Sequence, residues 1–219
     1  MTDTLIVYGS GGHAKVVVEA ALAVSPNRSI ILIDDNPEAY GTKVLGCIVV
    51  GGRERLSPQA GDVAVALGIG GNAARADILQ WLTDAGSRLE TVIHPSATVS
   101  PTARIGEGVF IAAKAVVIAE ATIGRGVIIN TAASVDHDCQ IAEAAHIAPG
   151  AHLCGNVSVG ARSLIGVGTA VCPGVSIGDD VIVGAGSAVV RDLPSGGRFG
   201  GCPARALRED LGGNDHSAN

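Results

Sequence analysis

Aromatic side chains are nearly missing: across 219 residues there are only Tyr8, Tyr40, Trp81, Phe110 and Phe199. A layered core of this size normally uses more rings, so much of the chain packs with small and β-branched side chains. Basic residues are also scarce, 15 Lys and Arg against 21 Asp and Glu, for a net charge of −6. They form no cluster, which excludes the electrostatic footprint of a nucleic-acid binder and a polybasic membrane patch. No apolar run nears the ~18 residues a membrane-crossing helix needs. The opening MTDTLIVYGSGG puts no basic region ahead of an apolar stretch, so no secretory leader is expected. Cys47, Cys139, Cys154, Cys172 and Cys202 are odd in number and include no C-x-x-C pair. That argues against a disulfide framework or zinc ribbon and for reduced thiols in the cytoplasm.

What is abundant is glycine, 31 residues, together with a repeat. Stepping by six from Ile93 to Val189 meets Ile, Val or Leu at every position. Small or branched residues stand two places earlier, among them Ala97, Ala103, Val109, Ala115, Val127 and Cys139. Glycine often follows the aliphatic, as at Gly106, Gly124, Gly160, Gly166, Gly178 and Gly184. A period of six fits neither a helix nor an alternating hairpin. It fits a parallel β-helix, each hexad giving one short strand and a turn, with coils stacked into one apolar column. Such a narrow interior has no room for rings. A purely structural β-helix of the antifreeze kind has the same period.

Ahead of the repeat, TLIVYG reads as a buried strand, then a GSGGHAK turn and the helix-periodic VVVEAALAV. SIILID is a second strand, ending at Asp34 and Asp35, followed by a short KVLGCIVVGG segment. A strand at DVAVALGIG, a helix from Asn72 to near Ala85, and LETVI leading into the repeat complete it. Alternating strands and helices imply a small parallel sheet of Rossmann-like type. The turn fits G-x-G-x-x-A at Gly9, Gly11 and Ala14, with Asp34 some 20 residues on, the pattern of a phosphate held at a helix N-terminus and a carboxylate for a ribose hydroxyl. Fewer than 90 residues precede the repeat, which suits a mononucleotide better than NAD. A redox cofactor site and a merely tight turn are the alternatives. The division expected is 1–90 for this α/β domain, 91–192 for the β-helix and 193–219 for a tail. The closing GGNDHSAN reads as a disordered end.

Together, the G-x-G-G-H turn, the I-D-D strand end, the segment carrying Ile69, Gly70, Asn72 and Arg75, and the unbroken hexads resemble one subgroup of the hexapeptide-repeat acyltransferases. These are the bacterial nucleotide-sugar N-acetyltransferases, whose layout the sialic acid O-acetyltransferase family shares. The resemblance implies a left-handed β-helix with three hexads per coil and a homotrimer with CoA between neighbouring β-helices. The reaction it implies is acetylation, from acetyl-CoA, of the 4-amino group of a UDP- or GDP-linked 4-amino-4,6-dideoxyhexose. No tightly bound cofactor, no metal, no nucleic acid and no membrane partner are expected. O-acetylation of a sialic acid or another sugar hydroxyl is the alternative, and a non-catalytic nucleotide-sugar-binding trimer a further one.

The subgroup's motif N-T-x-x-x-V-x-H-[DE]-C is met at Asn130, Thr131, Val135, His137, Asp138 and Cys139. It implies His137 as general base and Asp138 as its orienting, basicity-raising partner, in keeping with a histidine that titrates near neutrality. On a coil of eighteen residues the stacking neighbours of His137 are Ala119 and Gly155, neither of them a metal ligand. A solvated surface histidine is the plain alternative. By the same resemblance His146, Val167, Ala185, Pro203 and Arg205 meet acetyl-CoA. Gly11, Gly12, His13, Asp34, Asp35 and Gly70 meet the nucleotide-sugar. Cys202 and Arg205 stand where the subgroup's G-[VN]-P-A-K ending carries Val or Asn and Lys.

Overall fold

The computed structural model describes residues 4–56 and 63–207; GGNDHSAN lies outside them. Each hexad contributes a two-residue strand, from Val92–Ile93 to Ala188–Val189. Residue i pairs in parallel with residue i+18, as Ile111 does with Ile129 and Val117 with Val135, so three hexads make one coil. The pairs line up as three ladders, the faces of a triangular left-handed parallel β-helix. From Ile111 to Val189 every sixth residue points inward and is at most 3 % exposed. That column, with Ala115, Ala121, Ala133, Cys139 and Ala145 between, is one continuous core.

The corners follow one rule: from Gly108 to Gly186 every sixth residue has a positive φ, whether Gly, Asn156, Arg162 or Asp138. The glycines that follow the aliphatics, Gly184 excepted, answer to close approach. A Cβ on Gly160 would lie 2.3 Å from the carbonyl carbon of Gly178 on the next coil. The end of the solenoid is closed by Arg198–Gly200, which adds in parallel to Ile182–Val183, and by Arg205–Ala206, which turns back antiparallel. Phe199 and Ala204 are buried there.

The N-terminal unit has a four-stranded parallel sheet in the order Ser29–Ile33, Thr4–Tyr8, Ala64–Leu67, Arg88–Leu89. Arg88–Leu89, read from sequence as an approach to the repeat, is thus the fourth strand. KVLGCIVVGG contains a small antiparallel hairpin, Lys43–Val44 with Cys47–Ile48. Helix α1 spans Gly12–Val24 and α2 spans Asn72–Asp84. The unit sits on the solenoid face whose outward residues are Val92, Phe110 and Ile128, buried in one cluster with Ala14, Val17 and Val18 of α1. Of the five rings, Phe110 points out to this junction and Phe199 closes the end; none lies in the coil interior between them.

Candidate active site

The carboxyl ends of Thr4–Tyr8 and Ala64–Leu67 bound a cleft of about 580 Å³. Chain order reverses between these two strands, the place where an open parallel sheet binds ligands. Gly11, Gly12, His13, Asp34, Asp35 and Gly70 all line it, joined by Tyr8, Arg53 and Asp77. Both α1 and α2 begin here with no side-chain cap, at Gly11 and Gly71. Their free first-turn N–H groups and positive dipole ends suit a phosphate.

The two acidic residues are already engaged. Asp34 Oδ2 accepts from the Ser10 backbone (2.8 Å) and hydroxyl (2.6 Å), and Oδ1 from the Asn36 backbone (2.9 Å), so it braces the glycine turn. Asp35 accepts from the Tyr8 hydroxyl at 2.8 Å and is paired with Arg53. The Arg53 bond holds the Asp35 carboxyl below its usual range, while burial and the Asp35 bond push the Tyr8 hydroxyl up. Arg53 also lies over Trp81, 5.1 Å from the ring centre. Tyr8 and Arg53 were missed in the sequence. Their only signals are a polar ring ending a buried strand and the need of Asp35 for a counter-ion.

His137 stands on another part of the molecule, the corner opposite the face that carries the N-terminal unit. Its backbone is clamped from both sides: Asp138 N–H donates to Ala119 O and Asn156 N–H to His137 O. The imidazole lies on Gly155 of the next coil, and is more than half exposed. Its Nδ1 is 2.8 Å from Asp138 Oδ2. A carboxylate only accepts, so the proton sits on Nδ1 and Nε2 keeps a lone pair free. The Asp138 bond, helped by the charge of Asp136, raises the pKa of His137. Asp138 occupies the positive-φ place of its corner, a conformation aspartate tolerates.

His146 is on a different face, one coil beyond Ile128 in the outward column under the N-terminal unit. Asn130 Oδ1 takes the Thr131 N–H, so Asn130 Nδ2 donates to His146 Nε2 at 3.0 Å. Burial, with Arg75 and His13 nearby, brings His146 down to about 3. Burial and Arg75 bring His13 down to about 4; its ring meets Phe110 edge to face at 5.1 Å. Both are neutral imidazoles. Val167 and Ala185 occupy equivalent turns of successive coils, joined by Gly186 N–H to Val167 O, and both are exposed. Pro203 and Arg205 are exposed on the end cap, Arg205 donating to Ala204 O. Within one chain, then, the cleft residues come together and so do His137 and Asp138, but the two groups stand apart. Among the described residues, no three His, Cys, Asp or Glu side chains are placed to hold a metal ion.

Residues 4–82 match the PglD N-terminal domain family. The acetyltransferase domain of PglB from Neisseria gonorrhoeae FA1090 is 41 % identical, with a TM-score of 0.88 over 94 % of this chain and all of that one. The same domain has been solved with acetyl coenzyme A. A histidine-to-asparagine mutant of perosamine N-acetyltransferase from Caulobacter crescentus, in complex with CoA and GDP-perosamine, is 42 % identical. Its TM-score is 0.88 over 94 % of this chain and 97 % of that one. UDP-N-acetylbacillosamine N-acetyltransferase from Bacillus subtilis (strain 168) is 38 % identical over 120 residues, 49 % of this chain. The chain spans about half the length of that curated relative, 50 %. On the identity and near-complete overlap of the solved relatives, the chain belongs to the hexapeptide-repeat nucleotide-linked amino-sugar N-acetyltransferases.

Proposed function

We propose that the chain moves an acetyl group from acetyl-CoA to the 4-amino group of a UDP- or GDP-linked 4-amino-4,6-dideoxy sugar. The observation that carries this is the His137–Asp138 pair, with Nδ1 committed to Asp138 on an imidazole that is more than half exposed. The sugar amine attacks the thioester carbonyl and gives its proton to Nε2. The imidazolium so formed is favoured by Asp138, and it returns the proton to the departing CoA sulfur, leaving amide and free thiol. Nothing covalent forms on the enzyme.

The cleft takes the nucleotide end: two helix N-termini face the diphosphate, and Arg53 with Asp35 frames the base end. Because cleft and His137 stand apart in one chain, the sugar held by one protomer is acetylated at His137 of another. This supports the homotrimer that the resemblance implies. CoA then lies along neighbouring solenoids, past His146, Val167, Ala185, Pro203 and Arg205. Free cysteines and these two substrates fit a cytoplasmic protein. The test is thiol release from acetyl-CoA with a panel of UDP- and GDP-linked 4-amino-4,6-dideoxyhexoses, and sialic acid in parallel. Turnover of one amino sugar, abolished by His137→Ala while CoA binding and the trimer persist, is the expected result. Release with sialic acid alone moves the chain to O-acetylation, and silence throughout refutes the proposal.

A further inference from the structure

Arg75 is fully buried, 0 % exposed, in the first turns of α2. Burial pulls its pKa down to about 10, and among the described residues none of its hydrogen-bond partners is a carboxylate. Instead all five N–H donors meet neutral oxygens from separate parts of the chain. Nη1 donates to Ile69 O (3.1 Å) and Gly70 O (2.8 Å), both in the cleft wall. Nε donates to Gly126 O at 2.8 Å and Nη2 to Ala144 O at 2.7 Å, the same corner on two successive coils of the solenoid. The last donor goes to Asn72 Oδ1 at 2.9 Å, and Asn72 Nδ2 itself reaches Arg162 O, one coil further along that corner.

A cation without a counter-charge is a poor way to fill a core, because an apolar side chain of like volume packs there without desolvating a charge. What the guanidinium adds is geometry: a rigid planar fork that fixes four carbonyls at set distances. Two of those carbonyls belong to the cleft, and Ala144 stands two residues before His146. We propose that Arg75 is a positioning residue: it clamps the Ile69–Gly70 wall of the cleft to the coil that bears His146, and touches no substrate itself. The consequence for substrate rests on the nucleotide-sugar reading above; the clamp does not.

The test uses the full chain with Arg75→Met, Arg75→Lys and the milder Asn72→Ala. Amide exchange without ligand is the first readout. Segments 68–72 and 142–147 are expected to exchange at least about tenfold faster in Arg75→Met, with coils 158–189 unchanged. Arg75→Lys keeps the charge but not the fork, and should resemble Arg75→Met. The second readout is turnover: KM for the nucleotide-sugar should rise about tenfold or more while kcat stays within about threefold. If Arg75→Met unfolds the solenoid, Asn72→Ala decides, through a smaller change in the same two segments. Wild-type exchange in those segments for Arg75→Met and Asn72→Ala, or full function in Arg75→Lys, overturns the clamp. Faster exchange in an enzyme that acetylates none of the acceptors supports the clamp and sinks the functional reading alone.

Discussion

Gly155 offers a way to move His137 without touching it. The glycine does not have the positive φ that would forbid a side chain, and the three atoms nearest its Cβ position belong to a side chain and not to backbone. What a Cβ would meet is the imidazole: Cε1 at 2.4 Å, Nε2 at 2.5 Å and Nδ1 at 3.0 Å. Ordinary carbon contact begins near ~3.5 Å, so Gly155→Ala pushes the ring off by about 1 Å. The ring is more than half exposed, so it has somewhere to go and the fold bears little of the strain. Stability should therefore change by no more than about 0.5 kcal/mol, as for a surface substitution. Catalysis is less forgiving, since a displacement of ~1 Å costs up to about 10²-fold in rate. The expected outcome is a Tm close to wild type, unchanged binding of CoA, and a kcat/KM about 10²-fold lower in the thiol-release assay. His137→Ala serves as the floor. A Gly155→Ala enzyme within about threefold of wild type would falsify the idea that the observed imidazole pose is the reactive one.

Three other outcomes follow from the same geometry. Asp138→Asn removes the main cause of the raised His137 pKa, so the acid limb of the kcat profile moves to lower pH. The plateau rate falls too, by less than the ~10²–10⁴ expected for loss of the base itself. His146 and His13 are held neutral in the fold at pKa values of about 3 and about 4, below the 6.5 of a free histidine. The unfolded chain therefore binds more protons between pH 6.5 and 4, and stability is present above 6.5 and is lost as pH falls through that window. His146→Asn should flatten this loss in urea melts taken across the window; an unchanged slope refutes the assignment. Ile147→Ala, at a fully buried place in the column, should cost about 2–5 kcal/mol by urea melting. A cost under about 1 kcal/mol contradicts a tightly packed interior.

The solenoid is legible in the sequence because a coil can bury only what points inward, and every sixth residue must therefore be aliphatic. His137 and Asp138 stand out through the motif that the resemblance supplies and not through the period, since outward face positions such as Arg104 are charged too. Which face the N-terminal unit covers was also written there but unread. Outward positions on one face are Val92, Phe110 and Ile128, while another face carries Arg104, Thr122, Gln140 and Ser158. Reading that column places His146 under cover. Arg75 belongs to the segment that marks the family, but its contacts could not be read, because its partners Gly126 and Ala144 lie 51 and 69 residues away. The engagement of Asp34 with Ser10 and of Asp35 with Tyr8 and Arg53 is likewise a matter of three dimensions.

The corner rule also sets what lengths of insertion or deletion the chain can accept. Removing one or two residues from a coil puts polar groups into the column and side chains at turns that demand a positive φ. Removing six keeps every inward position aliphatic but turns all later coils by one face, carrying His137 round to a corner where the covered face begins. Removing eighteen restores the faces and instead shifts everything beyond by one strand spacing, about 4.8 Å along the axis. Change in this molecule is therefore stepped, like a thread on a screw. Residues 127 to 144 make one coil that carries Ile128 and ends at Ala144, so its loss would also disturb the seat of the N-terminal unit.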